Sequence, residues 1–70
     1  MKIFFERLKY ERIQKGYSQK ELAELLGIPR GTYSHYELSN KDGRQPSFEI
    51  VCQLSKIFDV SVDYLFGLED

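Results

Sequence analysis

The chain lacks most of what would mark an enzyme, a secreted scaffold or a membrane protein. It has one cysteine, Cys52. A single cysteine excludes an internal disulfide and a cysteine-rich zinc site. Its place in the apolar run Ile50-Val51-Cys52 predicts a buried structural thiol. One histidine, His35, leaves no second imidazole for a metal site. No nucleophile–base pair, metal-ligand cluster or phosphate-cradling loop stands out, so neither catalysis nor a cofactor is expected. Uncharged apolar runs fall far short of the ~20 residues needed to span a bilayer. No signal peptide is visible, so a cytoplasmic protein with no membrane association is expected. No stretch alternates apolar and polar residues for long enough to read as a strand. Repeats and low-complexity tracts are also missing.

An excess of positive charge is absent too, since the formal net charge is −1. Its distribution is uneven. Residues 1–46 hold nine Lys/Arg against six Asp/Glu. Residues 47–70 hold only Lys56 against Glu49, Asp59, Asp63, Glu69 and Asp70. The first part is therefore basic and includes Lys20, Arg30, Lys41 and Arg44. Such asymmetry suits docking one face on a polyanion, with modest non-specific affinity because few charges are available. With 70 residues, 41% of them hydrophobic, the chain supports one small domain, residues 1–70, with little core to spare.

What the chain does have is helix punctuation. Gly16 ends a first segment, because glycine takes left-handed geometry without steric cost. Ser18-Gln19-Lys20-Glu21 is a capping box, with Tyr17 and Leu22 placed as a hydrophobic staple. Leu22, Ala23 and Leu26 share one helix face, and Gly27 supplies the C-cap. Pro29 suits the start of the next helix, since it has no amide hydrogen to leave unpaired. Tyr33 and Tyr36 are that helix's apolar pair. Residues 18–37 thus form two short helices around a tight turn. Periodicity leaves two readings open. One is an ordinary helical hairpin without a ligand. The other is a pair whose second helix enters a DNA major groove.

Around this hairpin a first helix is predicted over about Ile3–Lys15, with Phe5, Leu8 and Ile13 inward. Residues 38–46 form a polar loop with a turn at Asp42-Gly43. Ser47 caps a fourth helix, whose core stripe is Val51, Leu54 and Phe58. Asp59-Val60 is a short connector. Ser61 caps a last helix, which Gly67 ends. The fold class is all-α, with five helices.

Several pieces in this order resemble the Cro/CI-type (XRE) helix-turn-helix family, which includes lambdoid phage repressors and Cro. They are Leu8 and Arg12, Gly16, Ser18-Gln19 with Glu21-Leu22-Ala23, and Leu26-Gly27-Ile28. Tyr36-Glu37, Pro46-Ser47 and the closing Val60-Ser61-Val62-Asp63-Tyr64-Leu65 complete the match. The resemblance covers about residues 5–67. It implies a compact lambda-repressor-like DNA-binding domain with its helix-turn-helix at about 18–37 and its recognition helix at about 29–37. It further implies a sequence-specific regulator of transcription, a repressor of phage or mobile-element type, bound as a homodimer to a near-palindromic double-stranded operator. A different reading keeps the same fold as an antitoxin or interaction module for a protein partner.

On this resemblance the second hairpin helix presents its first residues to base edges. Arg30 leads, since a guanidinium bonds bidentately to guanine O6 and N7; a phosphate contact is its other possible role. Thr32, Ser34 and His35 follow as base contacts. Ser18, Gln19 and Lys20 face phosphate at one helix N-terminus, and Ser47 and Phe48 do so at another. Gln19 also braces the recognition helix. Asn40, Lys41 and Arg44 in the polar loop are phosphate candidates. The family pairs the positions of Arg12 and Glu37 as a structural ion pair. Pro29 replaces the usual Ser or Thr cap, and Gly31 replaces a base-reading side chain. Tyr64, Phe66 and Leu68, beside Leu65, form an apolar C-terminal patch that is the expected dimer interface. The alternative is that Leu65 and Phe66 close the core and leave Tyr64 exposed.

Overall fold

Side-chain caps set the starts of three helices in the computed structural model, which describes residues 2–38 and 46–70. The helices are α1 (Lys2–Gln14), α2 (Gln19–Leu26), α3 (Arg30–Glu37), α4 (Phe48–Phe58) and α5 (Val62–Leu65). No strand occurs among the described residues. Ser18 Oγ accepts from the Glu21 amide at 3.0 Å, and Glu21 Oε1 accepts from the Ser18 amide at 2.8 Å. Both arms of the capping box are therefore made. Ser47 Oγ takes the Ile50 amide and Ser61 Oγ takes that of Tyr64. Pro29 caps α3 with extended backbone and no side-chain bond. Gly27 ends α2 in the left-handed region at φ +71°.

The core is a single cluster fed by every helix. Phe4, Phe5 and Leu8 come from α1; Leu22, Ala23 and Leu26 from α2; Tyr33 and Tyr36 from α3. Val51, Leu54 and Phe58 of α4 and Leu65 of α5 complete it. Three positions depart from the sequence reading: Phe4, not among the residues expected inward, is fully buried, and two others are more exposed than expected. Ile13 is 53% exposed instead of inward. It stands five residues after Leu8, which turns it about 140° around the helix. The inward places at that end of α1 belong to Glu11 and Arg12, which meet polar partners from elsewhere in the fold. Cys52 is only half-buried and lies outside the core cluster. It follows Val51 by one residue, about 100° away from the α4 core stripe.

The C-terminal patch is engaged within the chain. Leu65 is fully buried, and Phe66 stacks on Phe4 with ring centroids 5.1 Å apart and planes at 20°. Tyr64 is half-buried, and its hydroxyl donates to Glu11 Oε2 at 2.9 Å. The Arg7 guanidinium lies 4.3 Å from the Tyr64 ring centroid. It donates to the carbonyls of Tyr64 and Glu69. Burial, the bond to Glu11 and its negative charge push the Tyr64 phenol above its ordinary range. Only Leu68 of the patch stands out in solvent, at 76% exposure.

Candidate nucleic-acid interface

The geometry of α3 follows from which of its side chains the core claims. Tyr33 and Tyr36 are buried, and the Glu37 carboxylate turns inward. At 100° per residue this leaves Gly31, Ser34 and His35 on the outer face, with Arg30 and Thr32 at its two edges. Arg30 and Gly31 are exposed, while Ser34 and His35 are half-buried. Thr32 falls beside Tyr36 at the edge of the inward face and is half-buried. Ser34 and His35 thus share the outer face, and Arg30 and Thr32 flank it on opposite sides.

Gln19 at the start of α2 meets α3 across a shallow concavity of about 200 Å3, lined by Gln19, Arg30, Gly31 and Ser34. Lys20 is exposed beside it, and Ser18 Oγ is held by its own cap. The first amides of α2 have no partner within the helix and point outward at its positive end. Ser47 and Phe48 open α4 in the same manner, and Phe48 is 75% exposed. Asn40, Lys41 and Arg44 lie outside the described residues.

Behind this face the Glu37 carboxylate gathers three helices. Arg12 of α1 donates from Nε to Glu37 Oε2 at 2.6 Å and from Nη2 to Oε1 at 3.2 Å. Gln19 Nε2 donates to Oε1 at 3.1 Å, and the Tyr33 hydroxyl donates to Oε2 at 2.6 Å. Arg12 Nη1 also donates to the Tyr17 carbonyl at 2.9 Å, which ties in the turn before α2. The Glu37 side chain is only 3% exposed and that of Arg12 13%. A fork of this kind fixes direction as well as distance. Gln19 therefore has two neighbours at once, the concavity on the outside and Glu37 on the inside. The sequence reading missed Tyr33 as a member of this cluster. Its signal was available, since Tyr33 and Glu37 are spaced i, i+4.

Burial works against the charge on Glu37. The bonds from Arg12, Tyr33 and Gln19 outweigh it and hold the carboxyl below its ordinary value of 4.5. Burial and the bond to Glu37 push the Tyr33 phenol far above its ordinary range, so it remains a donor. A carboxyl depressed in the folded state stabilises the fold above its unfolded pKa, and that share is lost as pH falls through the folded value. The melting temperature should therefore drop on acidification below about pH 4.5, the ordinary carboxyl value. Glu37→Gln, which does not titrate there, should show a shallower acid limb by circular dichroism. Equal limbs would remove Glu37 from the acid response.

A family model described as helix-turn-helix matches residues 8–65. The chain belongs to the Cro/CI-type (XRE) helix-turn-helix family. Among its relatives is the HTH-type transcriptional regulator ImmR of Bacillus subtilis (strain 168), 42% identical over 65 residues, covering 93% of this chain and 49% of ImmR. The SPbeta prophage-derived uncharacterized HTH-type transcriptional regulator YonR of the same organism is 43% identical over 63 residues, covering 90% of this chain and 56% of YonR. The HTH-type transcriptional regulator SinR of Bacillus licheniformis is 35% identical over 65 residues, covering 93% and 57% respectively. The chain spans about half the length of the curated relatives it matches. No solved structure matches it.

Proposed function

We propose that this chain is a sequence-specific double-stranded DNA-binding regulator of transcription, acting as a repressor, with α3 lying in the major groove. The observation that carries the reading is the outer face of α3. It presents Arg30, Ser34 and His35 together, and Gln19 and Lys20 stand beside it at the N-terminus of α2. The names of the relatives agree with this role. Arg30, Ser34 and His35 read base edges, and Thr32 contributes from the groove wall. Ser18, Gln19, Lys20, Ser47 and Phe48 anchor phosphates through side chains or first-turn amides. Asn40, Lys41 and Arg44, which lie outside the described residues, add phosphate contacts.

The role is that of a binding module without catalysis, working in the cytoplasm. It is supported by a site made of donors for bases and phosphates. No helix among the described residues is long and apolar enough to cross a membrane. No observation favours a protein-interaction role. Selection from a random DNA pool, followed by salt-dependent mobility shifts, tests the reading. Affinity should fall linearly on a log–log plot against salt. Negligible binding at low salt would overturn it.

Arg30→Ala should weaken binding to the selected operator by about 1–3 kcal/mol and relax preference at one base pair. A loss that is equal on every sequence would move Arg30 to the phosphates. For the dimer, Leu68 is the exposed member, and Tyr64 and Phe66 are only partly buried. Leu68→Glu should shift sedimentation toward the monomer and weaken binding to a palindrome more than to a half-site. A wild-type chain that is monomeric on and off DNA would defeat the dimer.

A further inference from the structure

We propose that Gly31 forms a specificity-determining subsite, a gap at the centre of the recognition face that receives the edge of a base pair in the major groove. The proposal rests on the reading of α3 as a DNA-reading helix. A glycine inside a helix needs a physical reason, because it lowers helix stability relative to alanine. Left-handed backbone is one such reason, and Gly16, Gly27 and Gly67 have it at φ +79°, +71° and +78°. Gly31 has no positive φ and sits in ordinary helix. Close packing is a second reason. A Cβ on Gly67 would stand 2.9 Å from Ile3 Cγ2, whereas among the described residues a Cβ on Gly31 would meet nothing within 4 Å. Neither reason for glycine operates within the chain at position 31.

What the glycine does is shape the outer face. Gly31 lies nearest the middle of that face by helical angle, with Ser34 and His35 on either side and Arg30 beyond Ser34. Removing a side chain there helps open the concavity of about 200 Å3 between Arg30, Ser34 and Gln19. Arg30 and Ser34 stand at the rim of the gap as hydrogen-bond donors. With no Cβ in the way, the helix backbone approaches the groove floor more closely, and both donors reach deeper. The edge of a base pair fits this position better than a phosphate does. The gap is central to the face, and phosphates line the walls of the groove.

The test uses the whole chain, the operator selected with it, an unrelated duplex of equal length, and the variants Gly31→Ala and Gly31→Ser. The free Gly31→Ala protein should melt about 2–8 °C higher, since the added methyl meets open space. Its affinity for the operator should nevertheless fall about fivefold or more, the scale of one mismatched base pair. Binding to the unrelated duplex, set by phosphate contacts, should change by less than about twofold. Gly31→Ser should fall at least as far on the operator. Unchanged operator affinity would overturn the proposal. So would an equal loss on both duplexes, which would place a phosphate in the gap. A lower melting temperature would also overturn it by revealing an intramolecular role for the glycine. If the wild-type chain selects no preferred sequence, the DNA-reading role itself fails, and the subsite fails with it.

Discussion

Glu37→Ala is expected to lower stability by about 3–5 kcal/mol, a large share of the total available to a chain this small. The reason lies in what the carboxylate leaves behind. Among the described residues, Arg12 keeps only its bond to the Tyr17 carbonyl, while remaining largely buried. The Tyr33 hydroxyl, on a ring that is fully buried, loses its acceptor. Gln19 loses the bond that sets its direction toward the concavity. Each group is a donor left without an acceptor, which is the expensive half of a broken hydrogen bond. Thermal unfolding reads the first effect and operator binding the last. Glu37→Gln keeps two acceptor lone pairs and removes the charge, so its loss should be smaller. A melting temperature for Glu37→Ala close to that of the wild type would show that the cluster is ornamental.

The second large effect falls at Phe4. Its ring is fully buried, stacks on Phe66 and meets Phe5 edge-on at 5.6 Å. Phe4→Ala should destabilise by about 3–5 kcal/mol through lost transfer energy and the cavity that remains. It should also loosen the attachment of the C-terminal segment to α1, because Phe66 loses its stacking partner. Ile13→Ala, about two and a half turns of helix away on an exposed site, should change stability by no more than about 0.5 kcal/mol. The contrast is informative because the sequence pattern ranks the two residues the other way. Urea titration of both variants decides it, and a larger loss at Ile13 would refute the burial assignment.

The comparison of sequence and structure turns on how local each signal is. Ser18, Ser47 and Ser61 were readable as caps, because a cap bond reaches only three residues along the chain. The left-handed ends at Gly16, Gly27 and Gly67 were readable because the backbone geometry requires glycine or a near equivalent. The α4 stripe of Val51, Leu54 and Phe58 followed from helical spacing alone. Ile13 misled because it is apolar and near the expected period, yet the polar pair Glu11 and Arg12 holds the inward positions. A pattern of hydrophobic residues cannot anticipate that a glutamate is buried because a tyrosine hydroxyl 53 residues later reaches it. Thr32 sits beside Tyr36 at one edge of the outer face of α3. The pairing of Arg12 with Glu37 came from family resemblance, and its geometry came from the structure.

By itself the sequence determined the family, the five helices, the turn between α2 and α3, and the basic half that carries the candidate interface. These depend on local backbone chemistry and on residue order, both of which are present in the unfolded chain. Only the tertiary structure decided that Arg12, Gln19 and Tyr33 converge on one carboxylate, and that Tyr64 and Phe66 are spent largely within the chain. It alone revealed that Gly31 has open space around it. These depend on which helix approaches which, over separations of 18 residues and more. Such approach is set by the packing of the whole core and is not written in any short stretch of the chain.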